Sequence, residues 1–199
     1  MIVVTGTDTG IGKTVASAAL ALRLGASYWK PIQAGREEES DREAVARLAG
    51  VQTHPEAYFL ETPCSPHRAA EIDGVTIEPA CLTLPPGRVV IEGAGGALVP
   101  VTRDLLYADL FARWGLPVVV VARTALGTIS HSLMTVEVLR ARGVTVAGIL
   151  FSGDEVTDSQ RTICDMAAVP ALGRLPILDP LTPDTLRTAA AALDLGPLA

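Results

Sequence analysis

TGTDTGIGKT, residues 5 to 14, decides the fold. A phosphate-binding loop of the usual form places its first glycine five residues before the second, as G-x-x-x-x-G-K-[ST] requires when counted back from the Lys-Ser/Thr end. Here Gly12-Lys13-Thr14 supplies the far end, but the expected first glycine falls on Thr7 and the glycine present is Gly6, one residue early. The apolar run from Met1 to Thr5 before it reads as a buried strand, and Lys13 to Leu24 after it as an alanine-rich helix stopped by Gly25. Strand, glycine-rich loop and helix in that order make a phosphate cradle, in which backbone N–H groups and the helix N-terminus face the anion. Lys13 would bridge the β- and γ-phosphates and the Thr14 hydroxyl would take Mg²⁺.

Outward from this loop the same alternation continues. Ser27 to Lys30, Arg88 to Glu92, Pro117 to Ala122, Val144 to Phe151 and Ala171 to Arg174 read as strands. Ser40 to Leu48, Tyr107 to Trp114, Ser130 to Arg142, Asp158 to Ala167 and a segment opened by Thr182-Pro183 read as helices. Ser40 and Glu43 have the spacing of a capping box. The strands are apolar throughout rather than alternating, which is the signature of a parallel sheet covered on both faces. We therefore expect one α/β domain over residues 1–199, a P-loop NTPase-like fold with a mostly parallel central sheet and helices on both faces. The proline-rich stretch from Pro63 to Pro86 reads as loop and short strand. Ligands of such sheets bind beyond the carboxyl ends of the strands.

Composition excludes several partners. Net charge is -6 and no basic run exceeds two residues, so nucleic acid is not expected. The longest apolar run, Leu116 to Ala122, is far too short to span a membrane, and no basic segment precedes the first apolar run as in a signal peptide. Cys64, Cys81 and Cys164 are odd in number and widely spaced, which reads as reduced core thiols in the cytoplasm.

Two biases are more informative. The chain contains no Asn, and of its 16 basic residues only Lys13 and Lys30 are lysine. An ammonium is a compact point charge and a guanidinium a planar fork, so the two are not interchangeable at a tight site. A surviving lysine is thus a candidate for function, or simply an exposed residue before a turn. Lys30 ends the second strand and would aim into the same crevice as Lys13. A second cation there suits an anionic phosphoryl acceptor, because transfer brings two negative groups together. Asp41, in the first turn of its helix, complements the helix dipole. Glu92 at a strand end opposite the loop is either a Mg²⁺ partner or a solvated turn residue. Leu126 to His131 leads into a helix whose free N–H groups either bind a carboxylate or accept an ordinary cap, and His131 reads as a packing or capping residue.

GTDTGIGKT, KPIQAG at Lys30 to Gly35, SPHRAAE at Ser65 to Glu71, IEGAGGALVP at Ile91 to Pro100, LGTISHS at Leu126 to Ser132 and LPIL at Leu175 to Leu178 occur in order along nearly the whole chain. Together they resemble the dethiobiotin synthetase family, in which the longer phosphate loop is itself a feature. The resemblance implies an ATP- and Mg²⁺-dependent enzyme that joins diaminopelargonate and CO₂ through a phosphorylated carbamate. It implies that Lys30, Lys13 and Thr9 act at the reacting groups. Gly10, Ile11, Gly12, Lys13, Thr14 and Val15 would bind nucleotide together with Asp41, Glu92, Gly93, Ala94 and Gly95. Ser152, Gly153, Pro176, Ile177 and Leu178 would border the base, and Thr14, Asp41 and Glu92 would hold Mg²⁺. Thr9, Lys30, Ala34, Gly127, Thr128, Ile129 and Ser130 would bind substrate, its carboxylate lying across a homodimer interface. The chain departs from the family at Ala34, where Ser or Thr is common, and at Ser130 and Ser152, where Asn is common.

Two other readings fit less well. A nucleotide-switch ATPase of the partition or division-site type would carry a lysine where this chain has Asp8, and an aspartate after the strand that ends in Glu92. A cobyrinate-type amidotransferase would need a glutaminase domain, for which 199 residues leave no room.

Overall fold

A computed structural model describes residues 1–35 and 39–198 of the chain. In chain order the elements are β1 (Ile2–Gly6), α1 (Lys13–Leu24), β2 (Ser27–Trp29), β3 (Ile32–Ala34), α2 (Asp41–Ala49), β4 (Thr53–His54), β5 (Tyr58–Leu60), α3 (Pro66–Asp73), β6 (Val89–Gly96), β7 (Pro100–Thr102), β8 (Leu105–Leu106), α4 (Tyr107–Trp114), β9 (Val118–Arg123), α5 (Thr128–Arg140), β10 (Val146–Ser152), α6 (Thr157–Ala167), β11 (Ala171–Leu175) and α7 (Pro183–Ala191).

Seven strands form the main sheet in the order β11-β10-β9-β1-β6-β2-β4, and every pairing in it is parallel. β1 lies in the middle, between β9 and β6, so the phosphate loop leaves the sheet at its centre. Successive side chains of a strand point to opposite faces. Val3 accordingly joins Trp29, Ile91, Val120 and Phe111 in one core, under α3, α4, α5 and α6. Val4 joins Leu20, Tyr28, Val90 and Val119 in the other, under α1, α2 and α7. Valines 118 to 121 of β9 are fully buried, because a helix layer covers each side of the sheet.

The capping box opens α2 as expected, with the Ser40 hydroxyl accepting from the Glu43 N–H and the Glu43 carboxylate accepting from the Ser40 N–H. Three expectations need correction. The proline-rich stretch contains α3, in which Pro66 occupies the first turn, where a missing N–H costs nothing. α5 begins at Thr128 and ends at Arg140, two residues earlier at each end than the sequence suggested, because Gly127 adopts the left-handed conformation and starts the helix itself. Cys64 and Cys81 are exposed rather than in the core, while Cys164 is half-buried and packs against it. Two small sheets were also not foreseen: β3 pairs with β5 in parallel, and β7 with β8 antiparallel.

Candidate active site

A cleft of about 480 Å³ opens at the carboxyl ends of β1, β2 and β6, lined among others by Gly10, Gly12, Lys13, Thr14, Lys30, Asp41 and Glu92. The loop that forms one wall turns sharply into α1. Gly12 takes φ 88°, where other residues are strained, and a Cβ on it would sit 2.8 Å from the Ser152 Oγ and push that hydroxyl aside.

Five charged or hydroxyl groups, from α1, α2, β6 and the residue that follows β2, meet in this cleft. The Thr14 hydroxyl donates to Asp41 Oδ1 at 2.5 Å and lies 3.2 Å from Glu92 Oε1. The Lys30 ammonium pairs with Asp41 Oδ2 and lies 3.8 Å from Glu92 Oε1. The Lys13 ammonium donates to the Asp8 carbonyl at 2.9 Å. Lys13 and Lys30 are each 7% exposed and Glu92 1%, so Lys30 is turned into the pocket rather than outward. The Tyr28 hydroxyl donates to Glu92 Oε2 at 3.0 Å.

Burial and charge work against each other here. Burial lowers the pKa of Lys13, with Glu92 and Asp41 opposing and Lys30 adding to the fall. Burial pushes the Glu92 carboxyl up, more than the Lys30 charge pulls it down. Asp41 is also pushed up by burial, but the Lys30 charge and hydrogen bonds from Lys30 and Thr14 outweigh it, and its carboxyl is held below the ordinary range. The cluster therefore keeps an ionised carboxylate beside an ammonium. Among the described residues no group of three or more His, Cys, Asp or Glu converges. Thr14, Asp41 and Glu92 instead offer one hydroxyl and two carboxylates. This all-oxygen set suits a hard cation that takes its remaining ligands from phosphate and water.

Most residues singled out in the sequence border this cleft or its neighbours. Thr9, Ile11, Ala34, Ala94 and Gly95 line it too. A second cleft of about 320 Å³ lies across the loop and is lined by Gly10, Ile11, Gly12, Val15, Arg123, Ser152, Pro176, Ile177 and Leu178. A third, of about 460 Å³, runs from Thr7, Asp8 and Thr9 past Leu98 to His131, Met134 and Thr135 on α5, so His131 faces a cavity rather than the core.

Three assignments are not brought to these walls. Gly93 faces the core: a Cβ there would sit 2.9 Å from Phe111 Cζ and 3.6 Å from Tyr107 Cδ1. Packing against these rings by itself favours glycine at this position. Gly93→Ala is accordingly expected to cost about 1–3 kcal/mol through overpacking. A thermal melt should fall by roughly 2–12 °C with the apparent affinity for ATP unchanged; an unaltered melt would contradict this. Gly153 is likewise turned inward, its N–H donating to the Leu175 carbonyl at 3.0 Å and its carbonyl accepting from Arg174 at 2.9 Å. Gly127, Thr128, Ile129 and Ser130 form the first turn of α5 outside all three clefts. Thr128 is buried beside Ser132, while Gly127 and Ser130 are exposed.

Other cleft residues carried no assignment in the sequence. Gln33, Pro63, Cys64, Ser65 and Pro66 complete the wall of the main cleft. The SPHRAAE motif is visible in the sequence, but its place at the cleft depends on α3, which brings Ser65 and Pro66 inward. Asp8 and Arg123 form an ion pair at 3.5 Å beside the loop, joining residues far apart in the chain.

Residues 1–185 match the family model described as an AAA domain. An ATP-dependent dethiobiotin synthetase BioD from Sphingopyxis alaskensis is 62% identical over 190 residues, which cover 96% of this chain and 94% of the relative. The protein of the same name from Novosphingobium aromaticivorans is 62% identical over 193 residues, covering 95% of this chain and 94% of its own. That from Agrobacterium fabrum is 56% identical over 195 residues, covering 95% and 92%. A solved ParA family ATPase from Chlorobium tepidum superimposes with a TM-score of 0.57 at 10% identity, over 100% of this chain and 93% of that one, and shares the P-loop fold. Identity of this extent over nearly the full length of each partner settles the relationship: the chain belongs to the ATP-dependent dethiobiotin synthetase family.

Proposed function

We propose that this protein, an enzyme of biotin biosynthesis, closes the ureido ring of dethiobiotin from diaminopelargonate, CO₂ and ATP in a Mg²⁺-dependent reaction. The observation that carries this reading is the convergence of two buried lysines and the Thr14, Asp41 and Glu92 oxygens on one cleft beneath the phosphate loop.

One substrate amine adds to CO₂ and releases a proton, giving a carbamate. Lys30 lies where it can stabilise that anion and hold its oxygen toward the γ-phosphorus. The carbamate oxygen attacks, the bond from phosphorus to the bridging oxygen breaks, and ADP leaves. Lys13 and the N–H groups of residues 10–15 take up the charge that spreads over the phosphate oxygens. The second amine then attacks the carbamoyl carbon. A new C–N bond closes the ring as the C–O bond to phosphate breaks, the amine nitrogen gives up one proton, and inorganic phosphate departs. Thr14, Asp41 and Glu92 would hold Mg²⁺, which neutralises the β- and γ-oxygens when bound. Thr9 and Ala34 would border the diamine. The slot lined by Ser152, Pro176, Ile177 and Leu178 would take the base, with apolar contacts in place of an Asn amide. The first turn of α5, Gly127 to Ser130, in which Gly127 and Ser130 are exposed, would receive the carboxylate of substrate held by a partner subunit in a homodimer. The protein acts as one domain over residues 1–199 and works in the cytoplasm; among the described residues no helix is long and apolar enough to cross a membrane.

The test is to mix protein, Mg-ATP, bicarbonate and diaminopelargonate and to look for dethiobiotin by mass. Formation of the product with one phosphate released per ring supports the reading. Phosphate release indifferent to the diamine would replace it with a switch ATPase. Against that alternative, the place of the switch lysine is held by Asp8, paired with Arg123 of the same chain.

A further inference from the structure

Glu92 is a nearly fully buried carboxylate, and its two oxygens have different surroundings. Oε1 lies 3.2 Å from the Thr14 hydroxyl and 3.8 Å from the Lys30 ammonium, on the cleft side. Oε2 accepts from the Tyr28 hydroxyl at 3.0 Å. Sheet register explains why a tyrosine so distant in sequence arrives there. Tyr28 on β2 pairs with Val90 on β6, so Glu92, two residues further on, shares its face of the sheet. That diagonal is within reach of an aromatic side chain. The ring itself is fully buried in the core under α1 and α2, which locks its rotamer and aims the hydroxyl along the strand toward the cleft.

We propose that Tyr28 is a positioning residue that holds Glu92 with Oε1 alone turned to the cleft, making it a one-oxygen ligand suited to Mg²⁺ rather than a chelating one. This rests on the metal reading given above. Mg²⁺ demands near-octahedral geometry with short bonds, whereas Ca²⁺ is larger and accepts two-oxygen carboxylates in irregular shells. A carboxylate whose second oxygen is already engaged cannot swing to chelate. Without that hydrogen bond the carboxylate is held less firmly, by Thr14, Lys30 and Ser17 alone, which costs the small ion more than the large one. Partners that orient metal ligands characteristically govern affinity to this degree.

The test is ADP binding by calorimetry, titrated with Mg²⁺ and separately with Ca²⁺, in the wild type and in Tyr28→Phe. The substitution removes one oxygen and keeps the ring. The Mg²⁺ needed for half-saturation is expected to rise about 10-fold, while the Ca²⁺ requirement changes by no more than about twofold. In a Glu92→Gln background the same substitution should add nothing, since the pair acts as a unit. An unchanged Mg²⁺ requirement would overturn the proposal. So would equal losses for both cations, which would mean general loosening, or full additivity in the double variant. A Tyr28→Phe chain that does not fold would assign the hydroxyl to the core and overturn it as well. Wild-type ADP binding that ignores both cations would instead refute the metal reading itself.

Discussion

Lys30→Arg is expected to lower turnover by roughly 100- to 1000-fold, the scale on which losing one preorganised charge at a developing anion is felt, while ADP binding stays close to that of the parent. Lys30 is 7% exposed, and its ammonium sits between Asp41 and Glu92. A guanidinium carries the same charge on a larger planar fork. It would take Asp41 in a bidentate pair and hold its charge away from the acceptor oxygen. The charge count of the cluster is kept, so the fold and the phosphate loop should be unaffected. Single-turnover measurement of the ADP burst, together with calorimetric ADP binding, separates the two effects. Full turnover in the variant would remove Lys30 from the chemistry.

The second large effect belongs to Glu92→Gln. Orienting partners of metal ligands cost up to about 100-fold in metal affinity when lost. Removing the ligand charge itself should raise the Mg²⁺ required for half-maximal activity by at least about 100-fold. The amide keeps the size of the side chain and an oxygen to accept from Tyr28, so core packing around Tyr28 and Val90 should survive. A Mg²⁺ titration at fixed ATP checks this, and a curve superimposable on the parent's would exclude Glu92 as a ligand. The two substitutions differ in character: added Mg²⁺ should partly rescue Glu92→Gln and leave Lys30→Arg unmoved.

Much of this architecture was legible because the deciding signals are local. A glycine-rich loop between a valine strand and an alanine helix, five apolar strands and a Ser40–Glu43 capping box each declare themselves within a few residues. Scarcity of lysine pointed to Lys30 before any geometry was known. What escaped was set by contacts across the chain. α3 was hidden because proline reads as a breaker, although Pro66 stands at the one place in a helix that favours it. Gly93 lies in the nucleotide motif, but a Cβ there would meet Phe111, eighteen residues later by sequence number, across the core. Tyr28 looks like an ordinary buried aromatic until sheet register brings it to Glu92. The first turn of α5 carries a family motif yet faces outward, and no property of one chain alone brings it to a cleft.

Both lysines of the protein lie inside a single cleft, and every other side-chain cation is an arginine. Acylating reagents directed at ε-amines therefore have no lysine targets on the outer surface. With this molecule an amine label becomes a footprinting probe: protection of Lys13 and Lys30, read by peptide mapping, would follow nucleotide and substrate occupancy separately without a radioactive tracer.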